Sequence, residues 1–171
     1  MKVHYIAVLT CVLLSPFAAR AQEVKALGTF GKWVAATYQE NGKQVCYMSG
    51  EPDRTEGAFK ARGKPTLLIT HRPGEKAYDI VSLVSGYEYQ GDSDVTVNIA
   101  GKRFRLFTNG DRAWARDAQT DKTIVQAMVK AGSAAITGTS NRNAVTTDIF
   151  ILNGFAAAYR AIGEACKKPA A

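Results

Sequence analysis

The stretch Val95-Thr96-Val97-Asn98-Ile99-Ala100-Gly101-Lys102-Arg103-Phe104-Arg105-Leu106-Phe107-Thr108-Asn109-Gly110-Asp111-Arg112-Ala113-Trp114-Ala115-Arg116 decides how this chain of 171 residues folds. Val95, Val97 and Ile99 alternate with Thr96 and Asn98, the period-two pattern of a strand buried on one face. Ala100-Gly101 and Asn109-Gly110 are turn signals, so the stretch predicts short strands over Val95–Ile99, Arg103–Phe107 and Arg112–Arg116. Nothing in it has the 3.6-residue period of a helix.

The same grammar extends in both directions. Upstream it predicts strands over Lys32–Tyr38, Gln44–Ser49, Thr66–His71 and Tyr78–Val84, with breaks at Asn41-Gly42, Arg72-Pro73-Gly74 and Gly91-Asp92-Ser93. Downstream it predicts strands over Ala134–Thr139 and Thr146–Leu152. Two helices interrupt the pattern. One runs from Thr120, read as its N-cap, to a stop at Gly132, with Ile124, Val125 and Met128 on its apolar face. The other occupies the stretch from Gly154 to Cys166, after which Lys167-Lys168-Pro169-Ala170-Ala171 reads as a frayed tail. The fold class is therefore mainly β: an antiparallel β-sandwich or open barrel with one or two packed α-helices, including a C-terminal helix.

The first residues point to export. Met1-Lys2-Val3-His4 is positively charged, Tyr5 to Leu14 is apolar apart from Thr10, and Ala19-Arg20-Ala21 has the small-x-small pattern of a cleavage site. Together these read as a signal peptide over residues 1–21, cleaved before Gln22, leaving one domain over 22–171. Cys11 is then a filler in a discarded segment, in preference to a lipidated cysteine. The apolar run is shorter than the roughly 18 residues that cross a bilayer, and no stable membrane span is expected elsewhere. Losing Lys2 and Arg20 lowers the net charge from +7 to +5, a balance that favours anionic partners over neutral ones. Nucleic acid is not expected as a partner of a periplasmic or secreted protein.

Two cysteines remain after cleavage, Cys46 and Cys166, and an oxidising compartment favours joining them. Phe155, Ala158, Tyr159, Ile162 and Cys166 fall on one helical stripe, which turns Cys166 toward the domain body. Cys46 lies in the strand-like run Val45-Cys46-Tyr47-Met48. On the chain-entropy model, closing so long a loop contributes about 4–5 kcal/mol, less any strain.

Catalytic motifs are absent from the sequence. His71 is the single histidine after cleavage and reads as a strand-end residue, so a histidine- or thiolate-rich metal site is excluded. There is no G-x-S-x-G elbow, and Gly63-Lys64-Pro65 has proline where a phosphate loop needs a hydroxyl. Asp92-Ser93-Asp94 reads as a turn, with calcium as the lesser alternative. A pair such as Glu88 and Asp92 has nothing to mark it for acid–base work. The expectation is a protein that is no enzyme, with no cofactor.

Recognition chemistry concentrates on the last hairpin. If Asn109-Gly110 is a two-residue turn, Phe104 faces Ala115 and Leu106 faces Ala113 on one side. On the other side Arg105 meets Trp114, Phe107 meets Arg112 and Arg103 meets Arg116. Arg103, Arg105, Arg112, Trp114 and Arg116 then share an anion- or glycan-binding face in which guanidinium groups stack on rings. A three-residue turn with a bulge instead moves Trp114 beside Leu106 and into the core.

Several segments resemble the invasion-associated locus B family of exported bacterial proteins. They are Trp33, Cys46-Tyr47-Met48, Arg62-Gly63-Lys64-Pro65, Thr70-His71-Arg72-Pro73, Ser85-Gly86-Tyr87, Phe104 to Trp114, Ile124 to Met128, Gly138-Thr139-Ser140, Thr147-Asp148, Leu152-Asn153-Gly154-Phe155 and Ala165-Cys166. Their order and spacing, from Trp33 to Cys166, carry the likeness. The resemblance implies a secreted, periplasmic or outer-membrane-associated β-rich domain linked to invasion of host cells, with no enzymatic activity to transfer. Val34-Ala35-Ala36-Thr37-Tyr38 lacks the cysteine that often follows the family's tryptophan, which removes a second disulfide. Arg142-Asn143-Ala144 replaces an Arg-Gly-Thr segment.

The sequence thus points to a non-enzymatic exported module that binds an anionic envelope or host-surface component, in host invasion or envelope integrity. The alternatives are an envelope hydrolase with an unrecognised carboxylate site and a purely structural envelope protein.

Overall fold

A computed structural model describes residues 23–57 and 61–169. The expected signal segment and its cleavage point before Gln22 lie outside the described residues. The strands are β1 (Lys25–Phe30), β2 (Trp33–Glu40), β3 (Lys43–Gly50), β4 (Arg54–Gly57), β5 (Thr66–Arg72), β6 (Ala77–Val84), β7 (Asp94–Ile99), β8 (Lys102–Asn109), β9 (Arg112–Trp114), β10 (Ser133–Thr139) and β11 (Val145–Ile151). The helices are α1 (Ala118–Lys130) and α2 (Phe155–Ala165). All strands pair antiparallel in one sheet, in the order β1-β2-β3-β5-β6-β9-β8-β7-β10-β11-β4.

Chain length forces this sheet to curl. Only Glu51, Pro52 and Asp53 separate β3 from β4, so the chain reaches about 14 Å at most between Gly50 and Arg54. A flat sheet would hold β3 and β4 eight strand spacings apart, roughly 38 Å. The sheet therefore wraps into an open barrel whose two ends approach without pairing. Side chains and turns close the gap: Trp33 Nε1 donates to the Ile151 carbonyl at 3.2 Å, and Asp53 accepts from the Ile151 amide at 2.7 Å and pairs with Lys32. Gly154 (φ 90°) sits against the β1–β2 turn so closely that a Cβ there would lie 2.1 Å from the Phe30 carbonyl oxygen. Only glycine fits at that contact.

The wrapped interior holds the core. Trp33, Met48, Leu67, Ile69, Val81, Leu83, Val97, Leu106, Ile136 and Phe150 point inward from successive strands. Helix α1 lies on β6 through Ile124, Val125 and Met128, and α2 lies on β1 to β3 through Phe155, Ala158 and Ile162. Cys46 of β3 is bonded to Cys166, just past α2, with Cα atoms 5.9 Å apart and a sequence separation of 120.

Several expectations need correction. The sequence reading missed β1 and β4. Asp117, not Thr120, caps α1: its carboxylate accepts from the Thr120 amide at 2.7 Å and the Thr120 hydroxyl at 2.9 Å. The tail after α2 is not frayed at Lys168. Lys167 takes the left-handed conformation (φ 47°) and the Lys168 amide donates to the Gly163 carbonyl at 2.8 Å, a Schellman-type end that turns Lys168 back onto the domain. His71 is the penultimate residue of β5, at the strand end as expected, and is fully buried.

The last hairpin also turns one residue later than expected. Asn109 pairs with Arg112, Thr108 with Ala113 and Phe107 with Trp114, leaving Gly110 (φ 61°) and Asp111 as the two loop residues. Tyr89 donates its amide to the Gly110 carbonyl at 2.9 Å, and Ser85 donates its amide to the Asp111 carbonyl at 2.9 Å. These contacts from the segment after β6 hold the turn at Gly110-Asp111.

Candidate functional site

The revised turn slides β9 by two residues along β8. A slip of two preserves which face each side chain occupies and changes its neighbours. Phe104, Leu106 and Ala113 are buried inside, whereas Arg103, Arg105, Phe107, Arg112 and Trp114 remain on the outer face. Arg105 does not meet Trp114 and Phe107 does not meet Arg112. Phe107 and Trp114 face each other instead, with ring centroids 5.7 Å apart. The bulged alternative is not adopted: Leu106 pairs with Val95 in the core, and Trp114 is half-buried outside.

The five residues singled out in the sequence form two groups and an outlier. Arg105 and Arg116 converge on Asp94, at 3.6 and 3.1 Å, and Arg116 lies over the Phe107 ring at 5.8 Å. Arg112 and Trp114 sit on the other side of Phe107, with Asp111 4.0 Å from the Arg112 guanidinium. Arg103 pairs across to Asn98, six residues from the Asn109–Arg112 rung and roughly 20 Å along the strand. The expected Arg103–Arg116 neighbour pair does not form. Asp94, from the Asp92-Ser93-Asp94 segment, is occupied by the two arginines.

Trp114 and Arg112 border a trough of about 380 Å³ that crosses the outer face. Tyr38 from β2 and Tyr47 from β3 form its far wall, and Thr70, Ile80 and Ser82 pave it. The register brings them together: Tyr47 pairs with Thr70, Thr70 with Ile80, and Ser82 with Trp114. Arg72 stands at the rim, hydrogen-bonded to Glu40 and 3.7 Å from Glu75. The Tyr38 hydroxyl donates to Glu40 at 3.4 Å. The hydrogen bond from Arg72 holds the Glu40 carboxyl below its usual range, while burial and then the Glu40 charge push the Tyr38 hydroxyl up. Sequence reasoning missed Tyr38, Tyr47 and Arg72. The available signal was alternation on β3, where Tyr47 points opposite the inward Cys46 and Met48.

Two polar clusters lie inside. Arg62 pairs with Asp148, which also accepts from the Thr55 hydroxyl at 2.6 Å, and Arg62 stacks 5.6 Å above the Tyr87 ring. At the other, Asp79 receives the Tyr159 hydroxyl at 2.6 Å and Lys168 Nζ at 2.7 Å, while the Asp79 amide donates to His71 Nδ1 at 3.1 Å. Burial pushes the His71 imidazole down to about 4, so it is neutral at pH 7. Its Nε2 is buried without a hydrogen-bond partner. The second cluster borders a groove of about 430 Å³ between α1 and the end of α2, lined by Asp79, Tyr159 and Lys168 with Lys122, Gln126 and Lys130. Among the described residues, no three His, Cys, Asp or Glu side chains gather as a metal ion needs.

Residues 33–163 match the family model described as Invasion associated locus B (IalB) protein. The chain belongs to the invasion-associated locus B family. No curated protein and no solved structure matches it. In this IalB chain, the segments that carry the likeness meet mainly in the interior. Trp33 packs on Phe155 at 4.9 Å, Cys46 is bonded to Cys166, and Arg62 pairs with Asp148. They specify the IalB fold more than the trough, of which they contribute Tyr47, Thr70, Arg72, Arg112 and Trp114. Among the described residues of this IalB chain no helix is long and apolar enough to cross a membrane.

Proposed function

We propose that this IalB chain is exported, loses residues 1–21, and works in the periplasm or outside the cell as a single non-enzymatic binding domain over 22–171. Its ligand is an anionic envelope or host-surface component held on the outer face of the hairpin β8–β9. The observation that supports this reading is the outer cluster itself. Arg105, Arg112 and Arg116 stand around Phe107 and Trp114 on one face, with Asp94 and Asp111 as their acidic neighbours, and Arg103 lies farther along the same strand. An arginine fork holds two oxygens of a carboxylate or phosphate while its plane stacks on a ring. The disulfide fits an oxidising compartment.

Retention of the mature chain on anionic vesicles and on acidic polysaccharide, at low and high salt, tests the proposal. Wild type should be retained at low salt and released near 1 M, where the Debye length is about 3 Å. Arg105→Glu combined with Arg112→Glu should abolish retention with the thermal transition nearly unchanged. Wild-type protein that passes every anionic matrix at low salt would overturn the reading.

A further inference from the structure

We propose that the trough between Tyr38–Tyr47 and Trp114 takes a pyranose ring of an acidic saccharide, with the sugar carboxylate on Arg112 and its hydroxyls on Glu40. The inference rests on the reading of this face as a binding surface and names the ligand class.

Shape comes first. Three strand spacings separate β3 from β9, roughly 14 Å from backbone to backbone, and the residues between them are short at Thr70 and Ser82. Aromatic rings rise on both sides of that floor. The volume, about 380 Å³, lies in the range of small-ligand sites. The Trp114 ring is backed by Phe107, and Phe107 by Arg116, so the wall is set before a ligand arrives. Flat aromatic walls around a floor that mixes the Thr70 and Ser82 hydroxyls with Leu68 and Ile80 suit a sugar, whose ring has apolar faces and a polar edge.

Charge then separates the sources of an anion. The trough is polarised along its length. Arg112 is exposed at one end, whereas at the other a single guanidinium, Arg72, is shared by Glu40 and Glu75. A headgroup phosphate or a polyphosphate lying along it would meet a guanidinium already paired with two carboxylates that stand at the rim just outside the lining. Sugar hydroxyls instead donate to them, and a single carboxylate is left for Arg112. The walls are also recessed: Tyr38, Tyr47 and Trp114 are each half-buried, unlike side chains that insert into a bilayer. Of the large aliphatic side chains exposed among the described residues, Val24 borders the trough, while Val34, Val129, Val145 and Ile151 do not.

Isothermal titration of the disulfide-bonded mature chain with hyaluronan tetrasaccharide tests this, beside cellotetraose, inorganic phosphate and phosphatidylglycerol vesicles. The tetrasaccharide should bind saturably and the neutral cellotetraose more weakly. Tyr47→Ala and Arg112→Gln should each weaken binding about tenfold, the cost of one stacking or charged contact. Thr70→Tyr fills the floor from an outward-facing strand position and should do the same without removing a wall, which guards against a folding defect in Tyr47→Ala. Equal binding of both sugars, or binding indifferent to Thr70→Tyr, would overturn the inference. If phosphate or vesicles bind through Arg112 and the tetrasaccharide does not, the anion-binding reading stands and the saccharide falls. Silence toward all four probes defeats both.

Discussion

Lys168 Nζ lies 2.8 and 2.7 Å from the two carboxylate oxygens of Asp79, which is 4% exposed beneath the end of α2. Asp79 is also a non-glycine residue with φ at 63°, a conformation that persists only where its surroundings hold it. The holding groups come from the neighbouring strand and from the C-terminal helix and its end: His71 takes its amide, and Tyr159 and Lys168 take its carboxylate. Lys168→Ala removes the cation and leaves a buried carboxylate with the Tyr159 hydroxyl alone. The expected loss is about 3 kcal/mol, read from urea unfolding, since breaking a buried pair costs more than the pair contributes. Lys168→Ala combined with Asp79→Asn should recover part of it.

The bridge between Cys46 and Cys166 spans a sequence separation of 120 and ties α2 to β3. Replacing both cysteines by serine should lower stability by about 2–5 kcal/mol. Thiol labelling of the folded wild type without reductant should find no reactive cysteine at either position. Two labelled thiols would remove the bridge from the account.

Acid stability separates two buried groups whose effects oppose. Burial lowers His71 from 6.5 to about 4, so as pH falls the unfolded chain takes that proton first. Stability is lost between about pH 6.5 and 4, by roughly 3 kcal/mol. Burial raises Asp121 from 3.8 to about 6, while its carboxylate accepts from the Val81 amide at 2.9 Å. There the folded chain takes the proton first, and stability rises as pH falls from about 6 to 3.8, by a similar amount. The wild-type urea midpoint should therefore change little across this window. It should fall with pH in Asp121→Asn and rise in His71→Gln. Glu40, Asp53 and Asp117, all held below their usual range by hydrogen bonds, add a further acid loss common to the three proteins.

How far the sequence could be read depended on whether a local signal was complete. Asn41-Gly42 and Ala100-Gly101 turn as expected, because each places two left-handed residues side by side at the tip of a hairpin. Asn109-Gly110 has the same local chemistry, yet bonds from Ser85 and Tyr89 to the Asp111 and Gly110 carbonyls shift the loop. Those partners are remote in sequence. β1 was hidden by the bulge at Gly28, and β4 by having all four residues exposed, with no alternation. The disulfide was legible because the period of α2 marks Cys166 as inward. The trough was not, because Tyr38, Tyr47, Arg72 and Trp114 meet only through the register of five strands.

The two tryptophans give the sharpest test of that register. Trp33 is 1% exposed, with its ring centroid 4.9 Å from Phe155 and 6.4 Å from Phe150 and its indole nitrogen bonded to Ile151. Trp33→Ala opens a cavity at the point where the sheet closes and should cost about 3–5 kcal/mol. Trp114 faces Phe107 on the outer surface, so Trp114→Ala removes one half-buried ring and should cost about 1 kcal/mol. In the bulged register Trp114 would sit beside Leu106, and the two substitutions would cost alike. Acrylamide quenching supplies a second reading on folded protein: the Trp114 contribution should be quenched and the Trp33 contribution protected. A large loss of stability in Trp114→Ala, with protected emission from both rings, would return Trp114 to the core and take the outer-face site with it.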